Sequence, residues 1–350
     1  MKLWAIVENG QPLQCLERPD PQPKGSEVVV AVTHCGVCHS DLHFWKGEYD
    51  LGGGNILRLA DRGVQLPRAP GHEVLGTVVA FGPEAEGVAV GDRRVVFPWL
   101  GCGTCEVCVS GNENLCLKPC AVGVVRDGGF GSHVVVPHPK YLVDFGHVDP
   151  AVAATLACSG ITTYSAIKKL QPLDPKLPIL LVGAGGVGFA AIRMLQAMGH
   201  TNIIVVDLSL EKRAAAIAAG ASHAIDGNGD NVVQAVQAAA GGPLMAAMDF
   251  VNIPSTAKMA LECLGKNGKL VLIGVGGGEL PLSLAGMIFR PRQIIGSATG
   301  SLQDLIDVIA LAKSGKLQPV PVTCVPKDQA FDAMMRLKAG TVTGRIVLEG

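Results

Sequence analysis

From about residue 160 onward, short apolar segments alternate with helical segments, and this alternation restricts the possible folds more than any other feature of the sequence. The predicted strands are Ile179–Val182, Ile203–Asp207, Ala224–Asp226, Ala247–Val251 and Lys269–Gly274. The predicted helices between them are Phe189–Gly199, Glu211–Gly220, Asn231–Ala240 and Thr256–Leu264. Strands that alternate with helices of this length indicate βαβ units and a doubly wound parallel sheet.

The first 150 residues or so have a different character. Their short valine-rich runs are separated by Gly, Pro and Asp, a pattern typical of a twisted antiparallel or barrel-like domain. These runs are Glu27–Thr33, Val74–Phe81, Arg93–Phe97 and His133–Val136. The last 50 residues, with a predicted helix at Leu302–Ser314 and a strand at Gly344–Leu348, are expected to return to this first domain. A length of 350 residues agrees with about two domains.

A glycine-rich loop joins the first strand of the alternating region to its helix. It contains Gly183, Gly185, Gly186, Val187 and Gly188. Such glycines allow a tight turn and let the backbone approach a pyrophosphate, which the amides at the helix start then bind.

Asp207 ends the next strand about 20 residues further on, where a carboxylate accepts hydrogen bonds from the adenine ribose hydroxyls. The alternative role for Asp207 is to cap the following helix. A carboxylate at this point repels a 2′-phosphate and therefore favours NAD over NADP, although Lys212 and Arg213 lie nearby and could accommodate the phosphate.

Composition excludes several classes of protein. The formal net charge is −1, so no basic surface for nucleic acid is expected. The mean hydropathy is positive, but the longest uncharged stretches, such as 150–167, contain Gly, Ser, Thr, Cys and Tyr and do not resemble a membrane span. The amino terminus lacks an apolar signal core. We therefore expect a cytoplasmic protein whose 11 cysteines are reduced or bind metal.

Four closely spaced cysteines are the most specific local signal: Cys102, Cys105, Cys108 and Cys116. At this spacing four thiolates can enclose one Zn²⁺ tetrahedrally, and a closed site of four sulfurs has a structural role. Disulfides and an iron–sulfur cluster are the alternatives. A nucleic-acid-binding zinc ribbon is a further alternative, but the segment 102–116 contains two glutamates and neither Lys nor Arg.

A second set of metal-ligating residue types is spread over three segments. These are Cys38-His-Ser-Asp-Leu-His43, Gly71-His-Glu73 and Leu156-Ala-Cys-Ser-Gly160. Two cysteines and a histidine would make a catalytic zinc site whose fourth position is open. Spacing alone cannot select three ligands from 11 cysteines and 9 histidines.

At these residues the sequence resembles the zinc-containing medium-chain alcohol dehydrogenases, with the bacterial and yeast forms nearest. The resemblance covers nearly the whole chain, with the motifs in order: Gly36–His43, Gly71–Glu73, the four-cysteine cluster, Asp127-Gly-Gly-Phe130, Leu156–Tyr164, the glycine loop and Gly344–Val347. It implies a GroES-like catalytic domain (1–159 and 299–350) and a Rossmann NAD-binding domain (160–298).

The resemblance also implies roles for individual residues. Cys38, His72 and Cys158 match the catalytic zinc ligands, and the four-cysteine cluster matches the structural zinc ligands. Asp41 matches the residue that orients the zinc-bound histidine, and Glu73 a carboxylate behind the metal. The remaining matches are Ser40 (substrate oxygen), His43 (outer end of the proton relay), His39 and Arg345 (cofactor phosphate), and Tyr49 and Trp99 (substrate pocket).

The implied activity is reversible oxidation of a primary or secondary alcohol, with NAD and two Zn²⁺ per subunit, in a homo-oligomer (tetramer favoured over dimer). Polyol dehydrogenases of the same superfamily remain an alternative. Quinone and enoyl reductases share the fold, but they lack the Cys–His–Cys set and carry a basic residue in place of Asp207. One departure is the longer segment 50–63, which we expect to reshape the mouth of the pocket.

Overall fold

The chain forms two main sheets in the computed structural model, which describes residues 1–350. The elements of the amino-terminal part are β1 (Lys2–Ala5), β2 (Gln14–Glu17), β3 (Val28–Val37), α1 (His39–Lys46), β4 (Glu48–Asp50), β5 (Ile56–Arg58), β6 (Glu73–Phe81), β7 (Arg93–Val96), α2 (Glu106–Val109), β8 (His133–Val136) and β9 (Leu142–Val143). A helical segment follows, consisting of α3 (Pro150–Thr155), a π-helical turn (Leu156–Gly160) and α4 (Ile161–Leu170).

The second half begins with the alternating region. Its elements are β10 (Ile179–Val182), α5 (Gly186–Ala197), β11 (Ile203–Asp207), α6 (Leu210–Ala218), β12 (His223–Asp226), α7 (Val232–Ala240), β13 (Leu244–Asp249), α8 (Pro254–Cys263), β14 (Leu264–Leu272), α9 (Leu284–Phe289) and β15 (Gln293–Gly296). The chain ends with α10 (Leu302–Lys313), β16 (Val322–Pro326), α11 (Ala330–Lys338) and β17 (Arg345–Glu349).

The alternating region folds into a six-stranded parallel sheet in the order β12-β11-β10-β13-β14-β15. Its central strand β10 is apolar throughout because both faces are covered by other elements. Ile179 and Leu181 pack into the large core cluster, whereas Leu180 and Val182 pack into a second cluster on the opposite face. The predicted doubly wound parallel sheet is therefore confirmed.

The other sheet has seven strands. Six follow the order β16-β17-β3-β6-β7-β9, and β8 pairs with β3. All of its pairs are antiparallel except β16 with β17. Two of these strands, β16 and β17, come from the carboxyl end of the chain. The sequence predicts that this last segment returns to the first domain. The domain boundaries after residues 159 and 298 stay a prediction. The strands of the parallel sheet lie between these two positions, and the strands of the other sheet lie outside them.

Several element boundaries differ from the prediction. The helix after the glycine loop begins at Gly186 instead of Phe189, because the last glycines of the loop form its first turn. The continuous helical segment 150–170 was not predicted as an element. Asp149 caps it by accepting a hydrogen bond from the Val152 amide (3.1 Å). None of the helices combines the length and the apolar character that crossing a membrane requires.

Candidate active site

Cys38 lies at the junction of β3 and α1. It is the residue that caps the amino terminus of α1, and the Asp41 carboxylate accepts a hydrogen bond from its backbone amide (2.8 Å). The helix stops at Gly47, whose φ of 79° suits a residue without a side chain. Cys38 is therefore held in place by the strand before it and by the helix after it.

His72 immediately precedes β6, and the glycine before it explains how the chain turns into that strand. Gly71 has a φ of 93°, and an added Cβ there would lie 2.4 Å from Phe130 Cδ1 and 2.7 Å from Cys35 Sγ. Only glycine fits this position. The predicted motif Asp127–Phe130 thus packs against the turn that carries His72.

The third ligand of the candidate metal site, the Cys158 thiol, comes from the π-helical turn. Cys158 Sγ lies 4.0 Å from Cys38 Sγ. One ligand atom from each of Cys38, His72, Glu73 and Cys158 lies within 4.8 Å of the others, and all four residues are buried. The structure therefore brings together the three ligands inferred from the resemblance, with Glu73 beside them.

The residues present fit a zinc ion. Tetrahedral Zn–S bonds of about 2.3 Å place two sulfurs about 3.8 Å apart, close to the observed separation. The Nε2 atom of His72 is buried without a hydrogen-bond partner, whereas its Nδ1 contacts Asp41 Oδ1 at 3.2 Å. The Cys158 thiol and the His72 ring lower the pKa of Cys38 well below its usual value. Three donor atoms thus face one another at distances that suit a metal, and the contact with Asp41 orients the His72 ring.

Glu73 is paired with a buried guanidinium. Arg345 Nη2 donates hydrogen bonds to Glu73 Oε1 and to the Val37 carbonyl (3.3 Å). Burial raises the pKa of the Glu73 carboxyl, and the positive charge of Arg345 opposes that rise. An added Cβ at Gly186 would lie 2.7 Å from Arg345 Cδ, so the same side chain also packs against the start of α5. Arg345 therefore connects the metal site with the glycine loop.

The predicted relay residues lie on α1, and the predicted pocket residues lie beside His43 and His72. Ser40 and His43 lie three residues apart on α1 and share one face of the helix. The rings of His43 and Tyr49 stack with centroids 4.6 Å apart, and the Trp99 ring lies 5.0 Å from that of His72. Burial lowers the pKa of His43 from its ordinary value of 6.5, and the charge of Lys46 adds to this effect.

The glycine loop makes the tight turn and the close backbone approach that its glycines predict. Gly183 has a φ of 95°, and an added Cβ at Gly188 would lie 2.0 Å from the Gly183 carbonyl oxygen. Asp207 accepts hydrogen bonds from the amides of Ala184 (2.7 Å) and Ser209 (2.9 Å). The cap of α6 is Ser209, so the helix-capping alternative for Asp207 is wrong.

The basic residues after Asp207 have different surroundings. Arg213 is bound to Asp226 (3.0 Å) and to the carbonyl of Asp207 (2.9 Å). The backbone amide of Lys212 donates a hydrogen bond to Ser209 Oγ (3.3 Å), whereas its side-chain amino group has no hydrogen-bond partner. His39 is exposed at the start of α1. Its contact with cofactor phosphate, like that of Lys212 with the cofactor, stays a prediction.

The four-cysteine cluster forms a compact set of sulfurs. Neighbouring Sγ atoms are separated by 3.5–3.9 Å, and all 11 cysteines of the chain are free thiols. Such short separations leave space for one ion and not for an iron–sulfur core. The Glu113 carboxylate packs behind the cluster, where it accepts hydrogen bonds from Lys140 Nζ (2.8 Å) and Tyr141 OH (2.6 Å).

Comparison with known proteins agrees with this geometry. Residues 24–145 match the family model of the alcohol dehydrogenase GroES-like domain, and residues 186–314 match that of the zinc-binding dehydrogenases. An NAD-dependent alcohol dehydrogenase of Sulfurisphaera tokodaii is 35% identical over 350 residues, which is 99% of each chain. The chain belongs to the zinc-containing alcohol dehydrogenase family.

Other relatives show the range of this family. The crystal structure of the alcohol dehydrogenase of Aeropyrum pernix superposes with a TM-score of 0.91, at 30% identity and over 100% of both chains. A D-arabinose 1-dehydrogenase (NADP(+)) of Saccharolobus solfataricus is 32% identical over 353 residues, covering 99% of this chain and 97% of its own. As a member of this family the protein is an enzyme with two domains, a GroES-like domain and a Rossmann domain.

Some residues that support the sites were missed by the sequence analysis. Glu113 was predicted only to add a negative charge to the segment 102–116, and no role was predicted for Lys140 or Tyr141. Gly36 also matters, because an added Cβ there would lie 1.9 Å from Glu73 Oε2. A signal for Gly36 existed, since it opens the motif that contains Cys38. No local pattern connects Glu113 with Lys140, which is 27 residues away.

Replacing Asp41 by Asn tests whether this carboxylate prepares the metal site. Asp41 accepts hydrogen bonds from the amides of Cys38 (2.8 Å) and Gly71 (3.1 Å) and contacts His72 Nδ1. Loss of the charge and of one acceptor should weaken metal retention about 10- to 100-fold. Zinc content after dialysis against graded chelator measures this. Asp61→Asn, at an exposed position, is the control; equal retention in both variants would contradict the assigned role.

Proposed function

We propose that this enzyme catalyses the reversible oxidation of a primary or secondary alcohol to the aldehyde or ketone, with NAD as the hydride acceptor. The observation that carries the proposal is the Cys38–His72–Cys158 set, which provides three ligands while the neighbouring Glu73 is paired with Arg345. Arg345 also connects this set to the glycine loop. A Zn²⁺ held by these three residues would act as a Lewis acid toward the substrate oxygen.

The chain's own residues supply the proton path. Ser40 lies two residues after Cys38 at the start of α1, and we infer that its hydroxyl contacts the substrate oxygen at the metal site. His43 lies one helical turn further along the same face. Its lowered pKa keeps the imidazole neutral at neutral pH, and a neutral imidazole can accept the proton. Stacking against Tyr49 fixes the orientation of the His43 ring.

Asp207 supports the choice of NAD. It ends β11 and binds the Ala184 amide, so its carboxylate lies directly beside the glycine loop. A negative charge at this point favours the two ribose hydroxyls and repels a 2′-phosphate. Arg213 is occupied by Asp226 and by backbone carbonyls, which leaves Lys212 as the nearby cation free to meet a phosphate.

The substrate class is proposed from the pocket. Trp99 and Tyr49 place apolar rings next to the metal site and the relay, which favours hydrophobic alcohols, including aromatic ones. Polyols and sugars are the second candidate class, because a relative 32% identical over nearly the full length is a D-arabinose 1-dehydrogenase.

The assembly and the second zinc are also proposals. The apolar side chains of α9 are exposed, with Leu284 at 82%, Ile288 at 77% and Phe289 at 76%, and β15 next to it is an unpaired edge of the parallel sheet. Exposed apolar side chains beside a free strand edge support a homo-oligomer, a dimer or a tetramer. Eleven free thiols favour a cytoplasmic location. Two sulfur-rich clusters support two Zn²⁺ per subunit.

The proposed reaction is tested by following NADH formation with primary, secondary, aromatic and polyhydroxy alcohols. We expect turnover with NAD that disappears after chelation and returns with Zn²⁺. Asp207→Ala should raise the ratio of kcat/KM for NADP to that for NAD at least tenfold, because the repulsive charge is removed. Asp230→Asn, at an exposed position without a partner, should leave the ratio unchanged. Zinc-replete enzyme that turns over none of these substrates, nor their aldehydes or ketones, would refute the proposal.

The pH dependence of alcohol oxidation tests His43. Its pKa is lowered, so the ring loses its ability to accept a proton only as the pH falls below about 6.5. His43→Gln should lower kcat/KM at pH 7 about 100-fold, and the remaining activity should rise with pH as solvent takes over the proton. His223→Gln, at an exposed position in β12, is the control. Identical pH profiles for wild type and His43→Gln would exclude His43 from the relay.

The zinc count tests the four-cysteine cluster. We expect two zinc ions per chain in the wild-type protein, and one fewer in Cys105→Ser, together with a lower unfolding temperature. Cys120→Ser is a matched control, since Cys120 lies close to the cluster in sequence but is not one of its four sulfurs. Loss of zinc from both variants, or from neither, would show that the cluster is assigned incorrectly.

A further inference from the structure

A second cavity lies outside the candidate active site. Its volume is about 320 Å³, within the range of small-molecule sites. Three parts of the chain enclose it: the segment 147–160, helix α5, and the connection from α10 to β16. None of the residues of the two metal clusters, of the glycine loop or of the hairpin β4–β5 lines it. It is therefore separate from the site proposed for the alcohol and the cofactor.

The cavity has one wall in common with the metal site. Val152, Thr155, Leu156 and Ser159 repeat with helical spacing and line the cavity, whereas Cys158 lies outside this stripe and contacts Cys38. The π-helical turn thus separates the cavity from the metal ligands. Turns of this kind occur frequently at functional sites.

The opposite wall comes from the helix that begins at the glycine loop. Ala190, Arg193 and Met194 of α5 line the cavity. The cavity consequently lies between elements of the two domains. On one side it borders the helical segment that carries Cys158, and on the other side it borders α5, which begins at the glycine loop.

One charged group within the lining lacks a charged partner. Arg193 makes no ion pair; its Nη1 donates to the Ala219 carbonyl (3.0 Å) and weakly to Gln196 (3.4 Å), and its buried Nε has no hydrogen-bond partner. The acidic residue of the lining, Asp149, is exposed, and its carboxylate accepts a hydrogen bond from the Val152 amide and forms no ion pair with Arg193. The Nη2 atom of Arg193 makes no hydrogen bond and is not buried, so it remains available to bind a carboxylate.

We propose that this cavity binds a small monocarboxylate with an apolar chain. The carboxylate pairs with Arg193, and the aliphatic chain contacts Val152, Leu156 and Met194. This site differs from the substrate site in position and in chemistry, so it stands whether or not the proposed oxidation of alcohols is correct.

The test is direct binding of hexanoate, with n-hexanol as the uncharged counterpart, measured by calorimetry on the zinc-replete protein. We expect one hexanoate per chain beyond any bound at the open metal. Arg193→Gln should weaken this binding at least tenfold, because it removes a charge-assisted pair. Arg292→Gln is the matched control, since Arg292 also has a buried Nε without a partner but lies outside the cavity.

Two further variants separate the possible sites. Val152→Phe should reduce binding by filling the cavity, and Cys38→Ser should retain it, because that substitution disrupts only the metal site. Thermal unfolding checks that each variant is folded, and Arg193→Gln decides the test if Val152→Phe is not. Binding that is lost in Cys38→Ser but kept in Arg193→Gln would place the carboxylate at the metal and overturn the proposal. Equal affinity for hexanol and hexanoate, or no binding, would also overturn it.

Discussion

The candidate active site depends on one buried interaction, the pair between Arg345 and Glu73. Arg345 is 5% exposed and Glu73 is fully buried, so either charge without the other would be strongly destabilising. The same guanidinium donates to the carbonyl of Val37, the residue before Cys38, and packs against Gly186 at the start of the cofactor helix. Because Arg345 lies on β17, the carboxyl-terminal strand must return to the first sheet before the metal site is complete. The last segment of the chain therefore contributes to the metal site through its place in the first sheet.

The metal ligands come together through strand register. In the antiparallel pair β3–β6, Gly36 lies opposite Glu73, so Cys38, two residues after Gly36, and His72, one residue before Glu73, leave the sheet at the same end. Gly36 must be a glycine because the Glu73 side chain occupies the space of its Cβ. A one-residue slip of this pairing would turn every side chain of one strand to the other face and separate the ligands. The third ligand, Cys158, arrives from a helical turn, which does not depend on this register.

The features that sequence could predict are those whose partners are close along the chain. The glycine loop with Asp207, and the four cysteines within 15 residues, were located by local spacing, and the alternating pattern predicted the parallel sheet. The open metal site needed the family resemblance, because its ligands span 120 residues and nothing local distinguishes Cys38 from Cys35. The π-helical turn and the support of Glu113 by Lys140 and Tyr141 were not predicted, since both result from packing between distant segments. The helix after the loop was placed three residues late because glycine is a poor helix former in the interior of a helix but is accepted in its first turn.

The segment 50–63 shows why the substrate cannot be taken over from a relative. It forms most of the hairpin β4–β5 and a following turn, and its tip packs against the connection after β14 in the other domain. An added Cβ at Gly52 would lie 2.4 Å from Glu279 Cγ, and one at Gly277 would lie 3.0 Å from the Asp50 carbonyl oxygen. Between them is a cavity of about 440 Å³ that is bordered by Tyr49, the residue stacked on His43. Both domains therefore shape the approach to the relay, and a small change in their separation alters the space available to a substrate without any change in the metal ligands. A different hairpin, or a different connection after β14, would for this physical reason change which alcohols reach the metal site.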